Sequence, residues 1–432
     1  MKKRPVLLGL SVLVVFALGS GPAPADAGSL LGPELTISIK DRDQGAPRVA
    51  YNSLDDEYLV VWEEAMVSGI REIFGRRIGG DGTVYADFAI AAGDGVDRIE
   101  PDVAYDPVKN RYLVVYGKDM GVGGVVWNIW GRIIPALGPD PLLTEDYLGL
   151  SLDSQLEPAV TYGRGPVVAE KFLVVWIEDP SPTPVIDQVY AAFVEGATGI
   201  ADNQFAVTTG ATNCDEPEIA YNRSRSEFLV TFMKDGDLKG KILNAGGTAV
   251  HGGAFTIASP GTGFVESNGG VSAYFPGDRY LAVYQVDQFT DIDIGAQWVS
   301  GDATLLGGGL PFPDAGLIQR DPEVDCIKNS GHCLIVWTKQ YTNSTGPFGL
   351  WAALAPKDGG LMKALEVIEP SPFDKWREYS AVAGGATPFF VAWQHERDSS
   401  VYEDIHGRLV APLIFFDGFE SGDTSMWSTV VP

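Results

Sequence analysis

The chain has 432 residues, is 45% hydrophobic and 11% aromatic, and carries 52 glycines, 28 prolines and a net charge of −26. So many turn formers beside short apolar runs mark a globular, all-β chain. So acidic a surface repels nucleic-acid phosphate and anionic lipid, and suits cations, cationic partners or simple solubility.

The first 27 residues open on Lys2, Lys3 and Arg4. They continue with an apolar run from Val6 to Leu18, too short to span a bilayer, and end in the small-x-small stretch Ala25-Asp26-Ala27. This pattern is that of a secretory signal peptide. Its removal takes away three positive charges and one negative and leaves −28. The mature chain is then expected outside the cytoplasm, in the periplasm, at the cell surface or in the medium, with no transmembrane segment.

From residue 28 to 412 one short strand recurs. It reads YLVVW at Tyr58, YLVVY at Tyr112, FLVVW at Phe172, FLVTF at Phe228, YLAVY at Tyr280, CLIVW at Cys333 and FFVAW at Phe389. The aromatics that close it are Trp62, Tyr116, Trp176, Phe232, Tyr284, Trp337 and Trp393, spaced by 54, 60, 56, 52, 53 and 56 residues. A strand opening on Pro47, Pro101, Pro158, Pro217 or Pro322 precedes the anchor in five copies. A third strand follows it (IFGRRI, IWGRII, VYAAFV, LKGKIL, GAQWV, LWAALA, IHGRLV), and then a fourth, hard to see in repeats two and five. Four short antiparallel strands repeated at a period near 50 make a propeller blade. The anchor strand is apolar on both faces, as a sheet covered on both sides requires. The N-terminal LTISI, Leu35–Ile39, is a fourth strand without a blade, and the last repeat lacks a fourth strand. The expected fold is therefore an all-β, seven-bladed β-propeller of four-stranded antiparallel blades, closed by the N-terminal strand completing blade seven.

In this the chain resembles the seven-bladed β-propeller superfamily of secreted bacterial proteins. The resemblance is architectural and implies no catalytic residues. Residues 413–432, with DGFESGD followed by Trp427-Ser428, resemble the sorting or attachment tails of some secreted bacterial proteins; the stub of another strand is the alternative.

Chemical motifs are sparse. No nucleophile elbow, phosphate loop or dinucleotide fingerprint stands in a fitting context, and the sialidase aspartate-box turn is absent. The four histidines have no zinc spacing, although His395 and His406 flank one loop of blade seven. Asp41–Gly45, Asp235–Asp237 and Asp291–Asp293 match a calcium loop only in part. Cys326 and Cys333 stand where other blades pair two aromatics across the first hairpin, so they are expected to form a disulfide. Cys214 is left over and is expected in a loop, part-buried.

Acidic residues flank the opening prolines: Glu100, Glu157, Glu216 and Asp321 before, Asp102, Glu218 and Glu323 after. The anchor strands end on further acids, among them Glu178 and Asp179. The repeat gathers these into an acidic rim at one mouth of the channel, broken by Ala46 and Arg377. Such a rim suits weak Ca²⁺ or cationic-ligand binding, or serves only to accept turn hydrogen bonds. The preferred functional reading is a non-catalytic binding or display propeller whose loop face takes a glycan, a protein partner or a cation. Trp127, Tyr341 and Trp376 are candidate loop aromatics. The alternative is a carboxylate-dependent glycan hydrolase or lyase.

Overall fold

The structure, a computed structural model, describes residues 29–121, 126–136, 145–149, 151, 153–164, 170–178, 186–202, 204–259, 265–275, 277–287, 292–310, 312, 318–328, 331–340, 348–355, 364–366, 377–396 and 402–412. They form seven four-stranded antiparallel sheets. The tail, Asp179, Tyr341 and Trp376 lie outside the described residues. Among the described residues no helix is long and apolar enough to cross a membrane.

Each blade starts on an inner strand: Gln44–Asn52, Arg98–Asp106, Gln155–Gly163, Cys214–Asn222, Val265–Tyr274, Gln319–Cys326 and Arg377–Gly384. These seven stand side by side around the axis. The anchor strand pairs next, for example Glu57–Ala65 in blade one and Phe389–Glu396 in blade seven. The outermost strand is short in places, only Asp146–Tyr147 in blade two, which explains its faint trace in the sequence. In blade five it is Leu305–Leu310.

The last blade takes its outer strand from the other end of the chain. Ser29–Ser38 pairs antiparallel with Glu403–Ala411, with Leu35 opposite Gly407 and Thr36 opposite His406. The ring closure read from Leu35–Ile39 is therefore present, on a longer strand.

Seven apolar clusters hold the ring, and each is shared by two neighbouring blades. The seam between blades seven and one packs Tyr58, Val60 and Trp62 against Phe390, Ala392, Ile405, Leu409 and Ile37 of the closing strand. The anchor tryptophans Trp62, Trp176, Trp337 and Trp393 are fully buried. Two-sided burial of this kind is why the anchor strand reads as an unbroken apolar run.

Opposite each of these anchors the inner strand carries a bulge. Ile99 pairs with Gly117 and Asp102 with Val115, so Glu100 and Pro101 together face Tyr116 alone. The same two-against-one register recurs at Ala46-Pro47, Glu157-Pro158, Glu216-Pro217, Asp321-Pro322 and Tyr379-Ser380. The first residue of every pair has left-handed backbone, with φ of 48°, 54°, 55°, 49°, 50° and 50° in ring order. In blade seven this residue is Tyr379, not Arg377, because the register runs Glu378–Gln394 and Ala381–Ala392.

Cys326 pairs with Cys333 across its hairpin and the two form a disulfide at a separation of 7 residues. Cys214 begins an inner strand and is fully buried, not a loop residue, and burial pushes its thiol pKa up. The chain-entropy model gives about 2.5 kcal/mol for so short a loop. Reduction, or the Cys326→Ser/Cys333→Ser pair, is expected to lower the free energy of unfolding by no more than that and to leave the propeller folded. Urea titration with and without reductant measures it.

Candidate functional site

At five of the six bulges the left-handed residue turns its amide toward the preceding blade, and a side chain there accepts it. Gln394 accepts from Ala46 at 3.3 Å, Glu63 from Glu100 at 3.1 Å and Gln285 from Asp321 at 3.4 Å. All three acceptors directly follow an anchor aromatic. In blades two and three that place holds Gly117 and Ile177, which cannot accept. There the glutamate of the preceding bulge takes over: Glu100 accepts from Glu157 at 3.0 Å, and Glu157 from Glu216 at 2.7 Å. One oxygen of Glu63, Glu100 and Glu157 is thus committed to linking blades.

The residue after the opening proline points inward, one layer deeper. At the equivalent positions around the ring stand Arg48, Asp102, Ala159, Glu218, Gly270, Glu323 and Ala381, and all but Ala159 line the channel. Asp102, Glu218 and Glu323 therefore line the channel itself and share it with Arg48. Gly270 matters to the arrangement, since a Cβ there would lie 2.5 Å from Glu323 Oε2. Asp102 accepts the Val160 amide of the next blade at 2.7 Å. Among the described residues no carboxylate comes within 4 Å of the Arg48 guanidinium, which donates to the Pro47 carbonyl at 3.2 Å. Burial pushes Asp102 up to about 6 and Glu323 to about 7, with Arg48 pulling back in each case. Burial and the Glu323 charge hold Glu218 well above the usual carboxylate range. The same acids outweigh burial at Arg48 and raise it further.

From this layer a cavity of about 310 Å³ runs toward the opposite mouth. Its walls are Tyr51, Tyr105, Tyr162 and Tyr221, and Arg164, Arg223, Phe275 and Lys328 edge its exit. The three cations are exposed and, among the described residues, have no carboxylate partner. A chain of net charge −26 thus presents a basic, aromatic opening at one end of its channel and acids at the other.

Two further expected positions have different surroundings. Glu178 is 2% exposed and accepts from Gln155 Nε2 at 2.7 Å and from Trp176 Nε1 at 3.1 Å. It tethers an anchor tryptophan inside its blade. Trp127 is half-buried at the start of a third strand. Arg48 escaped the sequence reading, although stacking the residues that follow each proline puts it in line with Asp102, Glu218 and Glu323.

Burial, against the Glu216 amide and with the charges of Glu100 and Glu216, raises Glu157 to about 7. A carboxylate near 4.3 when unfolded then holds a proton in the native state that the unfolded chain has given up. Its contribution is fully present below about pH 4 and is lost as pH rises through 7. Glu157→Gln keeps the carbonyl that accepts the Glu216 amide and removes the titration. The variant is expected to match the native chain in melting temperature at pH 4 to 5 and to exceed it at pH 8. Thermal scans at both pH values measure this.

No known family model matches the chain, and no curated protein matches it in sequence. Among solved structures it is similar to the polysaccharide lyase Uly1, with a TM-score of 0.55, 8% identity and cover of 89% of this chain and 100% of that one. It is also similar to a protein of unknown function from Dyadobacter fermentans, with a TM-score of 0.51, 11% identity and cover of 90% and 100%. Trypanosoma rangeli sialidase in complex with the inhibitor DANA aligns with a TM-score of 0.50 at 10% identity, and the 88% of this chain that matches spans 58% of that one. Likeness at such identities establishes the fold: this chain is a seven-bladed β-propeller.

Proposed function

We propose that this chain is a non-catalytic binding propeller, exported from the cytoplasm, that takes the end of an acidic glycan into its channel. One observation carries the reading. A single cavity has a floor of Arg48 among three carboxylates and an opening edged by Arg164, Arg223 and Lys328. Sugar hydroxyls both donate and accept, and a floor mixing a guanidinium with carboxylates answers both needs. Tyrosine walls offer apolar faces to a sugar ring, and the cations at the opening suit a sugar carboxylate. The cavity volume of about 310 Å³ sits at the small end of ligand pockets, about 300–1,000 Å³, so the end of a glycan chain enters and not a long run. The disulfide supports an oxidising compartment.

The alternative, a carboxylate-dependent hydrolase or lyase, draws support from Asp102 and Glu323, whose raised pKa values fit a general acid or base. One experiment separates the two. A uronic-acid oligosaccharide and its carboxyl-reduced counterpart are titrated calorimetrically into the chain, and the mixtures are then chromatographed. The acidic sugar is expected to bind at least tenfold more tightly, less so at high salt, and to be recovered intact. Arg164→Ala/Arg223→Ala is expected to abolish the difference, and Glu218→Gln to weaken both sugars. Equal affinity, or no binding at millimolar sugar, overturns the proposal. Shortened products that disappear in Glu323→Gln decide for the enzyme.

A further inference from the structure

The seam where the ring closes brings together three metal-ligating side chains that lie far apart in sequence. Among the described residues Glu34, His395 and His406 form a group whose ligand atoms all lie within 4.8 Å of one another. His395 belongs to the anchor strand of blade seven and His406 to its third strand. His395 pairs with Asp404 and His406 with Trp393, so the two imidazoles are diagonal neighbours on one face, with ring centroids 4.7 Å apart.

Glu34 arrives from the closing strand, and a bulge delivers it. Leu31 pairs with Leu409 and Leu35 with Gly407, so Gly32, Pro33 and Glu34 together face Arg408. Gly32 turns with φ of 70°. The extra residues bring Glu34 Oε1 to 2.5 Å from His406 Nδ1 and 3.9 Å from His395 Nδ1. Among the described residues His406 Nδ1 is buried and makes no hydrogen bond, close as Glu34 lies.

We propose that Glu34, His395 and His406 bind one Zn²⁺, which fastens the N-terminal strand to the last blade. Zinc takes imidazole nitrogen at about 2.0–2.1 Å and carboxylate oxygen at about 2.0–2.2 Å in a tetrahedron. Ligand atoms then lie about 3.4 Å apart, and the observed 2.5 and 3.9 Å bracket that figure, so small side-chain rotations suffice. Two imidazoles select zinc over calcium, which prefers six or more oxygens. Water fills the fourth position. The imidazoles are 16% and 13% exposed and the carboxylate 31%, so the ion enters from solvent. Two ligands sit on the last blade and one on the first strand of the chain, so the ion stabilises the closed ring and not the open chain.

The test uses the full chain, stripped with chelator and titrated with ZnCl₂. One Zn²⁺ per chain is expected by calorimetry, with a rise in melting temperature that chelator reverses. His395→Ala and His406→Ala are expected to weaken binding at least tenfold, and Glu34→Gln to weaken it and cancel the thermal rise. His251→Ala, whose ring pairs with Glu227 elsewhere, is expected to bind like the native chain. The Glu34 side chain is part-exposed, so Glu34→Gln keeps the test alive should a histidine variant fail to fold. The Trp393 ring lies 6.2 Å from that of His406, so Co²⁺ at the site is expected to quench tryptophan fluorescence less in Trp393→Phe. No binding at millimolar zinc, or binding in Glu34→Gln and His395→Ala as tight as in the native chain, overturns the proposal. Binding that survives in Glu34→Gln with its full thermal rise overturns the fastening role.

Discussion

A left-handed residue at the bulge of an inner strand needs an acceptor on the neighbouring blade, and much of this molecule follows from that need. Five of the six residues concerned precede proline, which disfavours helical backbone in the residue before it. Conformations of this kind cost of order 1–3 kcal/mol each. The hydrogen bond each of these five amides makes to the preceding blade offsets part of that cost. The preceding blade supplies the partner through Gln394, Glu63, Glu100, Glu157 or Gln285. These acids therefore take part in hydrogen bonds between blades as well as carrying charge. The bulge also aims the following residue into the channel, so the device that joins blades sets the orientation of the cavity floor.

The scaffold is close to symmetric and the channel is not. One layer carries a cation, three carboxylates and three small residues at equivalent positions. Side-chain identity at a single place per repeat thus shapes the cavity, while the apolar clusters between blades keep the same plan. Gly270 shows the coupling, since its missing side chain leaves room for the carboxylate of Glu323 in the next blade. Repetition holds where packing demands it, and variation gathers where solvent reaches the axis.

The architecture was legible because packing imposes it locally. Anchor strands buried on both faces must be apolar, so the period is written in the chain. The disulfide was legible because Cys326 and Cys333 replace an aromatic cross-strand pair seen elsewhere, such as Tyr51 with Tyr58. The site was legible only in part. Counting from the anchors located most bulges but assigned Arg377 where Tyr379 stands, because the first hairpin of blade seven is two residues shorter: Ala381 pairs with Ala392, where blade one pairs Arg48 with Val61. Glu178 reads like a rim acid, yet it turns inward to Trp176. Arg48 was hidden by its sign, since a search for a ring of acids passes over the cation among them. Cys214 was assigned to a loop because its strand begins on that very residue. Glu34 meets His406 only across the closing seam, and no local pattern joins residues from opposite ends of the chain.

That seam has a consequence for synthesis. Tyr58 and Trp62 present one side of their blade to Phe390, Ile405 and Leu409, and the Tyr58 hydroxyl donates to the Pro388 carbonyl 330 residues away. At about 5–20 residues per second, that apolar side waits roughly 15–65 s on the ribosome before its cover exists. The other six seams need only the next blade. During this interval the first blade is a half-buried sheet in search of a partner, and the last blade of a second nascent copy could meet its demand. Pairing in cis is favoured as long as the six finished seams bend the growing chain into an arc that brings its two ends together.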